Sequence, residues 1–291
     1  MRLPATDDHV PGFLNDLGLP GLVDVHVHSM PAAVQAKVWA AFDALDDPPW
    51  PITYRHDEDR RLAILRDLGV VRHTTLAYAH KPGMARWLND HTLALGVHEQ
   101  VVPTFTFFPE PSADADVATA IAAGARCVKI HLQVGKFAPT DPLLDDAWAQ
   151  VQAADIPVVL HAAAVYGGAG GEEWCGVEPV VALLERFPDL RLIIAHLGLP
   201  DIADFIALAE QAPRVALDTA MVLTDPPYMG DVPPALLPRL EALAGRVLFG
   251  SDFPTIPHRY AAQVRGVAQL GFGDDWLREL LWHAPRRWLR L

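Results

Sequence analysis

Cysteine is scarce in this chain, with only Cys127 and Cys175 among 291 residues. Two thiols cannot build a disulfide framework, which excludes the small disulfide-stapled secreted scaffolds and fits a reducing, cytoplasmic setting. Basic residues are outnumbered, 23 Lys and Arg against 36 Asp and Glu, for a formal net charge of -13. A balance of that sign repels phosphate backbones and anionic lipid, so neither nucleic acid nor a membrane surface is expected as a partner. No apolar run reaches the roughly 18 residues needed to span a bilayer. The N-terminal stretch from Met1 to Gly21 holds Asp7, Asp8 and several Pro and Gly, without the basic start and apolar centre of a signal peptide. Glycine-rich phosphate loops of the G-x-G-x-x-G or Walker kind are missing too. No linker, repeat or low-complexity segment interrupts the chain, and a single domain is expected over residues 1–291.

Apolar residues, at 51%, supply ample core. The length suits one α/β barrel, a fold that takes about 250 residues. Histidine is the outlier, with 13 residues. Several of them close short apolar runs. Leu22-Val23-Asp24-Val25-His26-Val27-His28 is the first run, followed by Cys127-Val128-Lys129-Ile130-His131, Pro157-Val158-Val159-Leu160-His161 and Leu192-Ile193-Ile194-Ala195-His196. A fifth, Val247-Leu248-Phe249-Gly250-Ser251-Asp252, ends in a carboxylate. Short apolar runs after turns read as buried strands of a parallel sheet. In a closed parallel barrel the carboxyl ends of the strands share one rim, where chemistry sits.

The remaining pattern alternates in the same way. Strands are expected at 22–28, 70–77, 101–108, 125–132, 156–161, 191–196, 215–218 and 247–249. Helices are expected between them, at 57–68, 80–94, 112–123 (capped by Ser112), 143–154, 178–187, 201–211 and 235–244. Eight strands alternating with helices define an α/β fold of the (β/α)8 TIM-barrel type. The long connection after strand one, Ser29 to His56, carries Trp39, Phe42 and Trp50 and reads as a lid insertion with a helix near Ala32 to Leu45. Extra helices close the chain. Gly167-Gly168-Ala169-Gly170-Gly171 follows strand five without a clear helix and reads as a rim loop.

His26-Val27-His28 alone is weak, since a chain of this histidine content yields about 0.6 such pairs by chance. Its position adds weight: residues two apart on a strand share a face, so Asp24, His26 and His28 point one way. His161 and His196 each end a strand, and Asp252 either serves the same rim or caps the helix that follows. Lys129 and His131 also share a face. Lys129 has three readings: a carbamate bridging two metals, a partner for a substrate anion, or a structural partner of Asp24 or Asp218. Trp39, Trp50, Tyr54, Tyr78, His80 and Trp174 fall on expected rim loops, where substrate contact and lid packing are both open. Cys175 reads as an incidental thiol.

Together, Asp24 to His28, Lys129-Ile130-His131, Leu160-His161, Ala195-His196-Leu197-Gly198 and Phe249-Gly250-Ser251-Asp252-Phe253-Pro254 resemble the amidohydrolase superfamily. The likeness is greatest to the branch that includes aminocarboxymuconate-semialdehyde decarboxylase, and it runs from about residue 20 to residue 288. The resemblance implies a distorted TIM barrel with one or two divalent metals, most often zinc. Manganese, iron or cobalt also suit imidazole and carboxylate ligands. It implies His26, His28, His161 and Asp252 as the metal set and Asp252 and His196 as the catalytic acid–base groups. Lys129 matches a position carbamylated in some two-metal members. Lys129, His131, Trp50, Tyr78 and His80 are the candidates for substrate contact. The implied activity is hydrolysis of a small amide, ester or lactone by a metal-activated water. The alternative is non-oxidative decarboxylation of a small carboxylic acid. Barrels of this family often pair, so a homodimer is open, though no exposed stripe marks an interface.

Overall fold

In the computed structural model the described residues are 2–46, 49–164 and 170–291. The expected rim loop at 167–171 lies largely outside them. Among the described residues the strands are β1 (Leu22–Asp24), β2 (Val70–Thr74), β3 (Val101–Val102), β4 (Thr104–Phe105), β5 (Cys127–His131), β6 (Pro157–His161), β7 (Arg191–Ile194), β8 (Val215–Asp218) and β9 (Val247–Leu248). The chain forms two compact units, Met1–Thr74 with Thr219–Leu291, and Thr75–Asp218.

In the first unit β1 and β2 pair in parallel, with Leu22 opposite Val70 and Asp24 opposite His73. The chain keeps its direction beyond β1. The Val25 amide donates to the Phe249 carbonyl (3.0 Å), Asp252 to His26 (2.8 Å) and His28 to Phe253 (2.7 Å). Residues 25–28 therefore run beside the segment that follows β9. Thr74 stitches the same stretch, its hydroxyl accepting from the Val27 amide (3.1 Å) and donating to the Val25 carbonyl (3.0 Å).

The lid insertion contains the expected helix, Ala32–Asp43, and Phe42 packs on Trp50 with ring centroids 5.3 Å apart. The next helix, Glu58–Asp67, starts because the Asp57 carboxylate accepts the Arg60 amide, with Glu58 and Asp59 in the positive first turn. Gly69, at φ +80°, ends it in a left-handed turn. A further helix, Val10–Asp16, was not expected from the sequence. Val10, Phe13 and Leu14 form its buried face and Pro11 opens it. Helices Tyr260–Gln269, Asp274–Arg278 and Ala284–Leu289 follow β9, and the Leu280 carbonyl accepts the Phe249 amide at 3.1 Å.

In the second unit β4 to β8 pair in parallel in sequence order. Every residue of β5, β6 and β8 is buried, as a sheet covered on both faces requires. Register places His131 opposite His161 and Ile194 opposite Leu217. The strand expected over 101–108 is broken into β3 and β4 at Pro103, which has no amide to give a ladder. The helix expected from His80 begins at Ala85, after the Pro82-Gly83 turn. Ser112 does not cap Ala113–Ala122; its hydroxyl donates instead to the Asp116 carboxylate at 3.1 Å. Among the described residues no helix is long and apolar enough to cross a membrane.

Candidate active site

Each unit gathers its own cluster of the residues expected at the site. In the first, His26 is fully buried and its Nε2 lies 3.3 Å from His28 Nε2. Asp252 Oδ1 is 3.4 Å from His26 Nε2 and 3.0 Å from His28 Nε2. Asp252 has a left-handed backbone, φ +67°, a conformation that costs a non-glycine residue about 1–2 kcal/mol. The next helix begins only at Tyr260, so Asp252 does not cap it.

Beneath this triplet sits Asp24, fully buried. Its Oδ1 accepts the amides of His26 (3.0 Å) and Ser251 (3.2 Å), and its Oδ2 accepts the Tyr260 hydroxyl (2.7 Å). One carboxylate therefore fixes the backbone just before both donor segments. Burial pushes the Asp24 carboxyl up to about 7, against the hydrogen bonds from Ser251, His26 and Tyr260 that favour its charge. Burial and the neighbouring Asp24 raise the Tyr260 phenol well above its ordinary value, so it remains a donor. Tyr260 went unnoticed in the sequence because it belongs to no apolar run, and Ser251 was quoted only as a member of the run that ends in Asp252.

In the second unit His161 Nδ1 and His196 Nε2 are 3.1 Å apart. His161 Nε2 lies 3.0 Å from the Ala163 carbonyl. A carbonyl only accepts, so Nε2 carries the proton and a neutral His161 offers its lone pair at Nδ1. His131 stacks on His161 with centroids 3.7 Å apart, and Tyr78 lies against His131 at 4.7 Å. The Val134 amide donates to His131 Nδ1 at 3.3 Å, which makes this imidazole the cap of a short helical turn. Lys129 is fully buried in β5, whereas His80 is exposed.

Both Trp50 and Tyr54 belong to the first unit. The Trp50 indole N–H donates to the Thr255 carbonyl (2.8 Å). The Tyr54 hydroxyl donates to Asp7 (2.5 Å) and accepts the Tyr260 amide (2.7 Å). Trp39 carries Arg55 over its ring at 5.4 Å. Cys175 is a partly buried thiol pushed up to about 11 by burial and by Glu172, Glu173 and Asp201. It stays protonated near neutral pH.

The chain leaves β7 at Ile194, so His196 stands on an irregular turn where a strand end was expected. His196, Leu197 and Gly198 are all left-handed, at φ +57°, +52° and +76°. The turn holds because the His196 amide donates to Asp218 Oδ1 (3.0 Å) and because Phe205 packs onto Gly198. A Cβ on Gly198 would meet Phe205 Cδ2 at 2.0 Å. Gly198→Ala combines that overlap with a disfavoured φ, and we expect it to cost about 3 kcal/mol. Chemical denaturation measures this, and a loss below 1 kcal/mol would show that the turn relaxes freely.

The amidohydrolase family profile matches residues 23–291. The chain belongs to the amidohydrolase family, and it is an enzyme of that superfamily. A search of curated proteins returns no match. Among solved structures, an uncharacterized TIM-barrel protein from Bordetella bronchiseptica is similar at 18% identity, over 93% of this chain and 98% of that one, with a TM-score of 0.73. The 5-carboxyvanillate decarboxylase from Sphingomonas paucimobilis is 17% identical over 94% and 99% of the two chains, TM-score 0.66. A dihydroxybenzoic acid decarboxylase from a Polaromonas species, solved with manganese and 2-nitroresorcinol, is 16% identical over 94% and 98%, TM-score 0.67. Likeness at this level shows the fold, and the chain is an α/β protein of the TIM-barrel kind, as the alternation of strands and helices led us to expect.

Proposed function

We propose that this chain is a metal-dependent hydrolase of a small amide, ester or lactone, in which both units act as one catalytic domain. The observation that carries the reading is the spacing of three donor atoms, His26 Nε2, His28 Nε2 and Asp252 Oδ1, at 3.0–3.4 Å from one another. Ligands about 2.0–2.1 Å from zinc stand about 3.3 Å apart at a tetrahedral angle. Three such donors fit one coordination sphere, whereas a plain hydrogen-bonded pair needs no third member. We assign His161 as a further ligand through Nδ1. Its bond to the Ala163 carbonyl is the kind of outer contact that fixes the tautomer of a ligating histidine. The mixed nitrogen and oxygen set suits zinc first, with manganese, iron or cobalt also compatible.

Such a cation, when bound, polarises a carbonyl and lowers the pKa of water towards about 7. The chain's own groups handle the protons. Asp252 accepts one from the attacking water, and His196 delivers one to the leaving group. Lys129, His131, Tyr78 and His80 contact the substrate. Trp50 offers only its ring face, since its N–H is committed. The free thiols of Cys127 and Cys175 accord with a cytoplasmic site of action.

A second reading, non-oxidative decarboxylation, draws on the two structurally similar decarboxylases. A panel of lactones, amides, esters and aromatic acids, scored for released acid and for released CO₂, separates the two. Acid without CO₂ is the expected result. CO₂ release moves the assignment to the second reading, and no turnover by metal-loaded protein overturns both.

A further inference from the structure

His258 lies on the segment that follows Asp252 and is only 4% exposed. Its Nδ1 is 2.9 Å from the Arg259 carbonyl, so Nδ1 carries the proton and the neutral ring holds its lone pair at Nε2. That atom, on the ring edge away from its own backbone contact, is buried without a hydrogen-bond partner. A buried acceptor left unpaired forfeits its hydration without compensation, and native proteins seldom carry one without a functional reason. The ring of Tyr228 lies against the imidazole, centroids 5.0 Å apart. Tyr228 is itself 39% exposed, and it belongs to the segment after β8.

The charges around His258 define what it can receive. Asp252 and Asp7 favour its protonated form, as does the bond to the Arg259 carbonyl. Arg265 opposes it, and burial outweighs the rest, holding the imidazole below its ordinary value. A neutral imidazole lone pair accepts from an O–H or N–H donor, and the negative charges of Asp252 and Asp7 disfavour an anion at that atom. We propose that His258 is a specificity-determining residue whose Nε2 accepts the hydrogen of a hydroxyl or amide N–H on the substrate. The proposal rests on the active-site reading above, since His258 follows Asp252 by six residues on the segment after β9. A site with a buried acceptor discriminates strongly against analogues that lack the matching donor.

The test is equilibrium binding to the metal-loaded protein, by calorimetry, of the three monohydroxybenzoates, the three monofluorobenzoates and benzoate. Fluorine fills space and donates nothing. At one ring position the hydroxyl compound should bind at least tenfold tighter than its fluoro counterpart. His258→Asn keeps a donor near the Nδ1 position and loses the lone pair, so it should erase that preference. His258→Gln, which restores an acceptor near Nε2, should recover part of it. Equal binding of hydroxyl and fluoro compounds by the wild type, as an ordered water on Nε2 would give, overturns the assignment. A preference that survives in His258→Asn overturns it too. Metal content, measured on the same samples, keeps the two readings apart. Protein that takes up no metal defeats the hydrolase reading, while a missing hydroxyl preference in metal-loaded protein defeats only the role of His258.

Discussion

Replacing His26 and His28 together by alanine will strip the metal from the protein and abolish turnover, with the fold retained. The two imidazoles and Asp252 Oδ1 form one triplet at 3.0–3.4 Å, and the double change leaves the carboxylate as its last member. Loss of a single outer partner of a ligating histidine already costs 10–100-fold in metal affinity, and two direct donors cost more. The backbone has no need of the imidazoles. Residues 25–28 are held by main-chain bonds to Phe249 and Phe253, by Thr74, and by Asp24, which accepts the amide of residue 26 whatever its side chain. Metal content by mass spectrometry after dialysis should fall to background, while circular dichroism keeps the wild-type spectrum. Full metal occupancy in the double variant would refute the ligand assignment. The same measurement on His161→Ala tests the fourth ligand separately.

Asp252→Asn should lower turnover by roughly 10² or more with stability nearly unchanged. The amide keeps the shape of the side chain and cannot take a proton from water. Asparagine also tolerates left-handed backbone better than other residues with a Cβ, so the φ of +67° at this position adds little penalty. The comparison is kcat per bound metal on the best substrate of the panel, beside a thermal melt. Wild-type kcat per bound metal would remove Asp252 from proton transfer. A collapse of the melting temperature would instead show that its charge holds the segment after β9 in place.

The strand pattern was legible because a parallel sheet covered on both faces needs uninterrupted apolar runs, and β5, β6 and β8 are such runs. Residues that break local rules were harder to place. Pro103 split an expected strand because the apolar pattern crosses it while the hydrogen-bond ladder cannot. Ser112 looked like a cap, but Asp116, four residues on, competes for its hydroxyl. The helix at Val10–Asp16 hid in a short, Pro- and Gly-containing stretch whose three buried residues are too few to establish a period.

In the site, His26, His28 and Asp252 stood out as chemically unusual ends of apolar runs, and the structure brings these three together. Position on a run did not reveal that His196 leaves its strand for a left-handed turn, since that depends on Asp218 and Phe205, which are distant in sequence. Nor could it reveal His258, which sits among prolines with no periodicity around it. Its unusual feature, a lone pair with no partner, exists only once the chain has folded.

Asp24 has one more consequence, for the order of events during synthesis. Its Oδ1 joins the amide of His26 to that of Ser251, which lies 227 residues beyond Asp24 itself, and Asp252 follows directly. A nascent chain whose earlier segments fold first therefore carries an imidazole pair without its carboxylate until translation has passed that point. On the proposed ligand set, chains released before Asp252 would hold divalent cations weakly, and tight uptake would mark molecules translated far enough to close the triplet.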